Sequence, residues 1–142
     1  MYCRKCHLVQ LSEVPPLNKV FGPEFNYLSG STTSHVDYFQ KLSTDLIEKF
    51  DISESDYVVD IGSNDGSFLQ FFKERGINVL GIEPASNPAE VARAKGIDTI
   101  VDRFEDSTDS ILTKTSNNIR LITGLNVLAH TDTINEFMKS IS

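Results

Sequence analysis

The stretch Val58-Val59-Asp60-Ile61-Gly62-Ser63-Asn64-Asp65-Gly66 constrains this chain more than any other. An apolar, β-branched run that ends in an acid and passes through glycines into a helical pattern marks the carboxyl edge of a parallel strand. In doubly wound sheets that edge is where ligands bind. The residues that follow repeat the theme. Strands are expected at Tyr57–Ile61, Asn78–Glu83, Asp98–Val101 and Arg120–Gly124, and helices at Ser67–Arg75 and Pro88–Lys95. This alternation builds βαβ units, so the fold expected is α/β and Rossmann-like, with about four parallel strands and flanking helices. Gly76 and Gly96 stand just past the two helices, where a left-handed residue ends them. The stretch Phe104–Asn118 is polar and reads as a weak helix or loop, and a last helix begins near Thr131.

Ahead of this frame, Met1 to about Gly30 mixes prolines, glycines and isolated apolar residues without a sustained period and reads as an irregular arm. Ser31-Thr32-Thr33-Ser34 offers capping hydroxyls. Val36, Phe39, Leu42, Leu46 and Phe50 then recur at helical steps, predicting an amphipathic helix over 34–50. The boundaries expected are an arm at 1–33 and the Rossmann-like unit at 34–142. A fourth strand with nothing beside it would leave an open sheet edge, so a second copy or a complementing chain is expected to cover it.

Charge selects the ligand at the glycine loop. The spacing is Gly-x-x-x-Gly, whereas a dinucleotide loop wants Gly-x-Gly-x-x-Gly to let a pyrophosphate approach the helix end. Here Asn64 and Asp65 occupy the middle. A carboxylate at that point repels a pyrophosphate but suits the ammonium and sulfonium of S-adenosylmethionine, with Asp60 adding negative charge. Glu83, seventeen residues after Gly66, ends the second strand near the offset at which an acid accepts both ribose hydroxyls. Pro84 would border the adenine, Asp102 and Phe104 its amine and edge, and Asn126 the methionine end. The expected cofactor residues are therefore Asp60, Gly62, Ser63, Asn64, Asp65, Gly66, Glu83, Pro84, Asp102, Phe104 and Asn126. A nicotinamide-dependent oxidoreductase shares the frame and the ribose acid, but lacks support from the glycine spacing and Asp65.

The net charge of −7 opposes a nucleic-acid partner, which needs clustered Lys and Arg. No run of apolar residues is long enough to cross a bilayer and no signal peptide is visible, so no membrane partner and a cytoplasmic location are expected. The two cysteines, Cys3 and Cys6, make no disulfide framework.

Several stretches together resemble the C-methyltransferases that modify nucleotide-linked deoxysugars, enzymes of the class I S-adenosylmethionine-dependent fold with an N-terminal zinc-binding domain. They are Cys3-Arg4-Lys5-Cys6-His7-Leu8-Val9-Gln10-Leu11, Phe25-Asn26-Tyr27-Leu28-Ser29-Gly30, Asp60-Ile61-Gly62-Ser63-Asn64-Asp65-Gly66-Ser67, Gly81-Ile82-Glu83-Pro84-Ala85 and Asn126-Val127-Leu128-Ala129-His130. The resemblance implies a truncated member. Residues 1–33 would be a remnant of the zinc domain, and 34–142 the first half of the cofactor domain. The reaction implied removes a proton beside the keto group of a 4-keto-deoxysugar and passes the sulfonium methyl to that carbon.

Three departures accompany the resemblance. The family holds zinc with two Cys-x-x-Cys pairs; here Cys3 and Cys6 supply two of the four ligands tetrahedral zinc takes, and His7 or His35 would have to be recruited. The literal Cys-x-x-Cys-His string also matches haem attachment, which the absence of an export signal opposes. The family's Tyr-x-Tyr-x-Ser reads Phe25-Asn26-Tyr27-Leu28-Ser29, so Tyr27 keeps a phenol that Phe25 lacks. The family's Glu-His pair has no counterpart in this sequence, leaving Tyr27 and His130 as the catalytic candidates. A module that binds the cofactor without catalysing transfer is the remaining alternative.

Overall fold

The computed structural model describes residues 1–13, 15–22, 24–131 and 133–141. Four strands, β1 (Tyr57–Ile61), β2 (Asn78–Ile82), β3 (Thr99–Ile100) and β4 (Ile119–Thr123), form one sheet in the order β3-β2-β1-β4. Every pairing is parallel: Val59 lies opposite Leu80 of β2 and Ile122 of β4, and Gly81 of β2 lies opposite Thr99. Among the described residues six α-helices accompany them: α1 (Leu17–Val20), α2 (Thr33–Phe50), α3 (Gln70–Lys73), α4 (Ser86–Ala94), α5 (Thr108–Thr115) and α6 (Ile134–Ile141).

The direction of the chain across the sheet decides which face each helix covers. From β1 through β2 to β3 it steps one way, and right-handed crossovers put α3 and α4 on a common face. The step from β3 back past β1 to β4 reverses, so α5 lands on the other. The packing follows this rule. Val58 shares a cluster with Leu69, Phe72 and Ala92, against which Leu42, Leu46 and Ile47 of α2 also pack. Its neighbour Val59 joins Ile61, Leu80 and Ile82 under Ile111 of α5 and Phe137 of α6. With both faces covered, β1 is buried continuously from Val58 to Ile61 rather than at alternate residues. The reversal places a crevice beyond the carboxyl ends of β1 and β4.

The expected strands and helices are found, with shifted bounds. Regular α-helix begins only at Gln70 instead of Ser67, because Phe68 and Leu69 are buried on tight turns that precede it. β3 shortens to two residues, and the polar stretch 104–118 contains a full helix, α5. The last helix starts at Ile134; Asp132, near its expected start, lies outside the described residues. Gly76 and Gly96 both take φ +77°, as their place after the helices requires. The hydroxyls before α2 do not cap it: Thr32 is the N-cap and makes no side-chain bond to the helix.

The described part of the arm carries local structure of its own. Tyr2 and Val9 pair in an antiparallel bridge around the Cys3–Cys6 turn, and a 3-10 turn at Ser29–Ser31 leads into α2. No described helix is long and apolar enough to cross a membrane.

Candidate functional site

A cavity of about 1010 Å³ opens at the carboxyl edge of the sheet. That volume stands at the upper end of what one small-molecule site occupies, leaving room for more than one reactant. Its floor is the end of β1 and the loop that follows, Asp60 to Asn64; its sides are Glu83 and Pro84 after β2, Val101 to Glu105 after β3, and Leu125 to Val127 with His130 after β4. The arm closes it with Phe21, Phe25, Tyr27 and Ser29, and α2 adds His35 and Tyr38.

Glu83 is the most constrained acid in this cavity. It is 4% exposed, and each carboxylate oxygen accepts a backbone N–H: Oε2 from Asn64 at 2.9 Å and Oε1 from Ala85 at 2.8 Å. The two amides fix the carboxylate plane while leaving each oxygen a further lone pair for a ligand hydroxyl. Burial pushes the carboxyl above its ordinary range, and the same two amides oppose that shift.

Asp60 lies deeper. Burial pushes its carboxyl up to about 7, the Thr123 hydroxyl works against this by donating to Oδ1 at 2.6 Å, and the nearby Glu83 adds to it. The cavity thus holds two buried acids at the ends of β1 and β2, and the Arg103 guanidinium on its lining lies 3.2 Å from the Glu105 carboxylate. Such a floor favours a cationic ligand bearing vicinal hydroxyls over an anionic one. Ser63 fits the same picture: it lines the cavity, and its buried Oγ has no partner among the described residues. Gly81 makes room for it, since a Cβ there would stand 2.4 Å from Ser63 Oγ.

The structure brings nine of the eleven expected cofactor residues to the cavity: Asp60, Gly62, Ser63, Asn64, Glu83, Pro84, Asp102, Phe104 and Asn126. Asp65 and Gly66 do not line it. Asp65 was expected to face a cationic ligand, but its carboxylate turns to Lys95, whose Nζ lies 3.0 Å from Oδ2, and to the hydroxyls of Ser67 and Ser29. Burial alone would raise this carboxyl; Lys95, Ser67 and Ser29 outweigh it and hold it below the usual range. A carboxylate 3% exposed needs such partners, and the protein supplies them itself. Gly66 takes φ +71° and faces Ile97 and Ala92. Phe104 touches the cavity from the core, its ring centroid 5.3 Å from that of Phe137.

The catalytic candidates both reach the cavity. Tyr27 is 52% exposed, and His130 meets Phe21 edge-on at 5.8 Å between ring centroids. Thr123 and Lys95, which hold Asp60 and Asp65, and Phe21 and His35, which line the cavity, stand outside the residues expected from the sequence. Thr123 carries the clearest signal of these, as the residue of β4 paired with Asp60.

A family model described as a methyltransferase domain matches residues 34–142. The chain belongs to the methyltransferase domain family. Along 140 residues this methyltransferase domain and its arm are 31% identical to the C-methyltransferase NovU of Streptomyces niveus, covering 99% of the chain and 33% of that protein. The chain therefore spans about a third of the length of this curated relative. Among solved structures it resembles the YcgJ protein of Bacillus subtilis, with a TM-score of 0.55 and 17% identity over 74% of the chain and 44% of that one. It also resembles a protein of Methanococcus maripaludis assigned as an S-adenosyl-L-methionine-dependent methyltransferase, with a TM-score of 0.52 and 11% identity over 80% and 52%. The fold is the Rossmann-like class I methyltransferase fold.

Among the described residues no group of three or more His, Cys, Asp and Glu side chains gathers. Cys3 and Cys6 sit together on the N-terminal turn, with Cys3 lowered by hydrogen bonds from the backbone of Cys6 and Lys5, while the His7 Nδ1 is engaged by the Tyr2 hydroxyl. Two thiols are half of a tetrahedral zinc set, and His35 lies at the cavity instead.

Proposed function

We propose that this chain binds S-adenosylmethionine in the cavity and forms the cofactor half of a C-methyltransferase whose acceptor is a nucleotide-linked keto-deoxysugar. The observation that carries the reading is the pinned carboxylate of Glu83. Two backbone amides orient it at the end of β2, one of them from the glycine loop, which suits a pair of ribose hydroxyls. The name of the NovU relative supports carbon as the atom methylated. The deoxysugar acceptor rests on the resemblance of the Phe25–Gly30 and Gly81–Ala85 stretches to that family.

When bound, S-adenosylmethionine supplies an electrophilic methyl on a sulfonium. The residues would act as follows. Glu83 accepts the ribose hydroxyls, with Pro84 and Phe104 against the adenine and Asp102 near its amine. Asp60 and Asn126 flank the methionine end, while Gly62, Ser63 and Asn64 lie along the nucleoside. Tyr27 and His130 face the acceptor side, where a phenol can hydrogen-bond a keto oxygen and an imidazole can take or hold a proton. Asp65 and Gly66 act on the shape of the loop. A second reading, a cofactor-binding module completed by another chain, is favoured by the outer edge of β4 and the exposed Ile134, Met138 and Ile141 of α6.

Calorimetric titration with S-adenosylhomocysteine and, separately, NADH tests the site. The expected result is saturable binding of S-adenosylhomocysteine only, weakened about 10- to 100-fold in Glu83→Ala, as loss of hydrogen bonds to a charged group predicts. Binding of NADH in its place would turn the reading toward an oxidoreductase, and binding of neither would end it.

A further inference from the structure

We propose that Asn64 is a positioning residue whose carboxamide latches the arm segment Tyr27–Ser29 onto the cofactor loop, so that a nucleoside bound beside Glu83 tightens the wall facing the methyl acceptor. The proposal rests on the cofactor reading above and extends it to the acceptor side.

Asn64 stands between the two halves of the cavity and is bonded to both. Its backbone N–H donates to Glu83 Oε2. Its side chain faces the other way: Nδ2 donates to the Tyr27 carbonyl at 3.0 Å, and Oδ1 accepts the Ser29 backbone N–H at 2.8 Å and the Ser29 hydroxyl at 3.3 Å. The adjacent Asp65 reinforces the contact, accepting from Ser29 Oγ at 3.0 Å and from the Gly30 N–H at 3.3 Å. Lys95 holds that carboxylate in place. The fit is close enough that a Cβ on Gly30 would stand 2.1 Å from Ser67 Oγ.

Two features make this a latch rather than ordinary packing. The arm segment hydrogen-bonds the loop through the side chains of Asn64 and Asp65, and the first of these belongs to the residue whose own amide orients the ribose acid. Asn64 also takes φ +51°, a left-handed conformation that Asn tolerates better than other residues with a side chain. A ligand that immobilises the loop at Glu83 therefore lowers the cost of ordering Tyr27 and Ser29, both of which line the cavity.

Asn64→Gly isolates the carboxamide, because glycine keeps the left-handed backbone and the amide to Glu83 while removing the bonds of Asn64 to Tyr27 and Ser29 and leaving those of Asp65. Amide hydrogen exchange is read with and without S-adenosylhomocysteine at Ser29, whose N–H bonds Asn64, and at Gly30, whose N–H bonds Asp65 and serves as the internal reference, beside calorimetric affinity and a urea transition to confirm folding. Without ligand, the Ser29 amide is expected to exchange about tenfold faster in Asn64→Gly than in the unsubstituted chain. Ligand is expected to slow the Ser29 amide in the unsubstituted chain and not in Asn64→Gly, whose affinity is expected to fall by that same factor, as reciprocity demands. Gly30→Ala, which displaces the arm from the other side, should reproduce the loss. Ligand-induced slowing that persists in Asn64→Gly, or its absence in an unsubstituted chain that binds ligand, overturns the proposal. If S-adenosylhomocysteine does not bind the unsubstituted chain, the cofactor reading fails and the coupling falls with it. The ligand-free comparison then reports separately on the contact between arm and loop.

Discussion

Asp60 illustrates how one buried side chain sets a property of the whole domain. Its folded carboxyl keeps a proton up to about pH 7, against 3.8 in an ordinary environment. Across that window the folded state binds more protons than the unfolded state, so stability falls as pH rises from about 4 to about 7. Asp60→Asn keeps an oxygen for the Thr123 hydroxyl and removes the titration. Relative to this variant, the unsubstituted chain is expected to lose on the order of 4 kcal/mol between pH 4 and pH 8, measured as the difference in urea unfolding free energies. An ammonium placed against Asp60 favours its charged form, so S-adenosylhomocysteine, which keeps that group, should also bind more tightly at pH 8 than at pH 6. The acid itself was legible as the residue ending a β-branched run. Thr123 was not, because its relation to Asp60 exists only in the register of β4 against β1, and register is set by tertiary pairing rather than local pattern.

Elements were legible in proportion to how much of their burial appears as an apolar period. The strands Tyr57–Ile61 and Asn78–Ile82 read directly from Val58-Val59 and Val79-Leu80, whereas α5 hides its inner face. Its buried positions are Ile111 and Thr115, four residues apart, and Thr115 satisfies its hydroxyl by donating to the Ile111 carbonyl at 2.9 Å. A threonine that bonds its own helix can be buried while looking polar in sequence. The glycine loop shows the converse, since two of its residues expected at the ligand serve the loop itself. Gly66 meets α4: a Cβ there would lie 3.0 Å from Ile97 Cγ1 and 3.2 Å from Ala92 Cβ, on a backbone at φ +71°. Gly66→Ala is accordingly expected to destabilise the chain by about 2–3 kcal/mol through backbone strain and overpacking, read as a lower urea midpoint with an unchanged slope.

At the scale of the molecule, the α/β alternation was sufficient to place a doubly wound sheet and its ligand edge. The arm was another matter. Its aperiodic residues carry no local signal because their partners lie far along the chain, Ser29 bonding Asn64 across 35 residues and Tyr27 doing so across 37. Strand order has the same quality, and it bears on the time course of folding. β1, α3 and β2 close as a short unit, with Val59 and Leu80 only twenty-one positions apart, while the pairing of Val59 with Ile122 spans sixty-three. Loop closure over the longer span is entropically costlier, and contacts of that kind form late. The segment Leu125–His130, which supplies one side of the cavity, arrives only with β4. Refolding chains are therefore expected to regain S-adenosylhomocysteine binding in the slowest phase, after most helical signal has returned, as stopped-flow circular dichroism alongside a double-jump binding assay can measure. A half-folded chain already possesses Glu83 and the glycine loop, yet the pocket they serve comes into being with the last strand to dock.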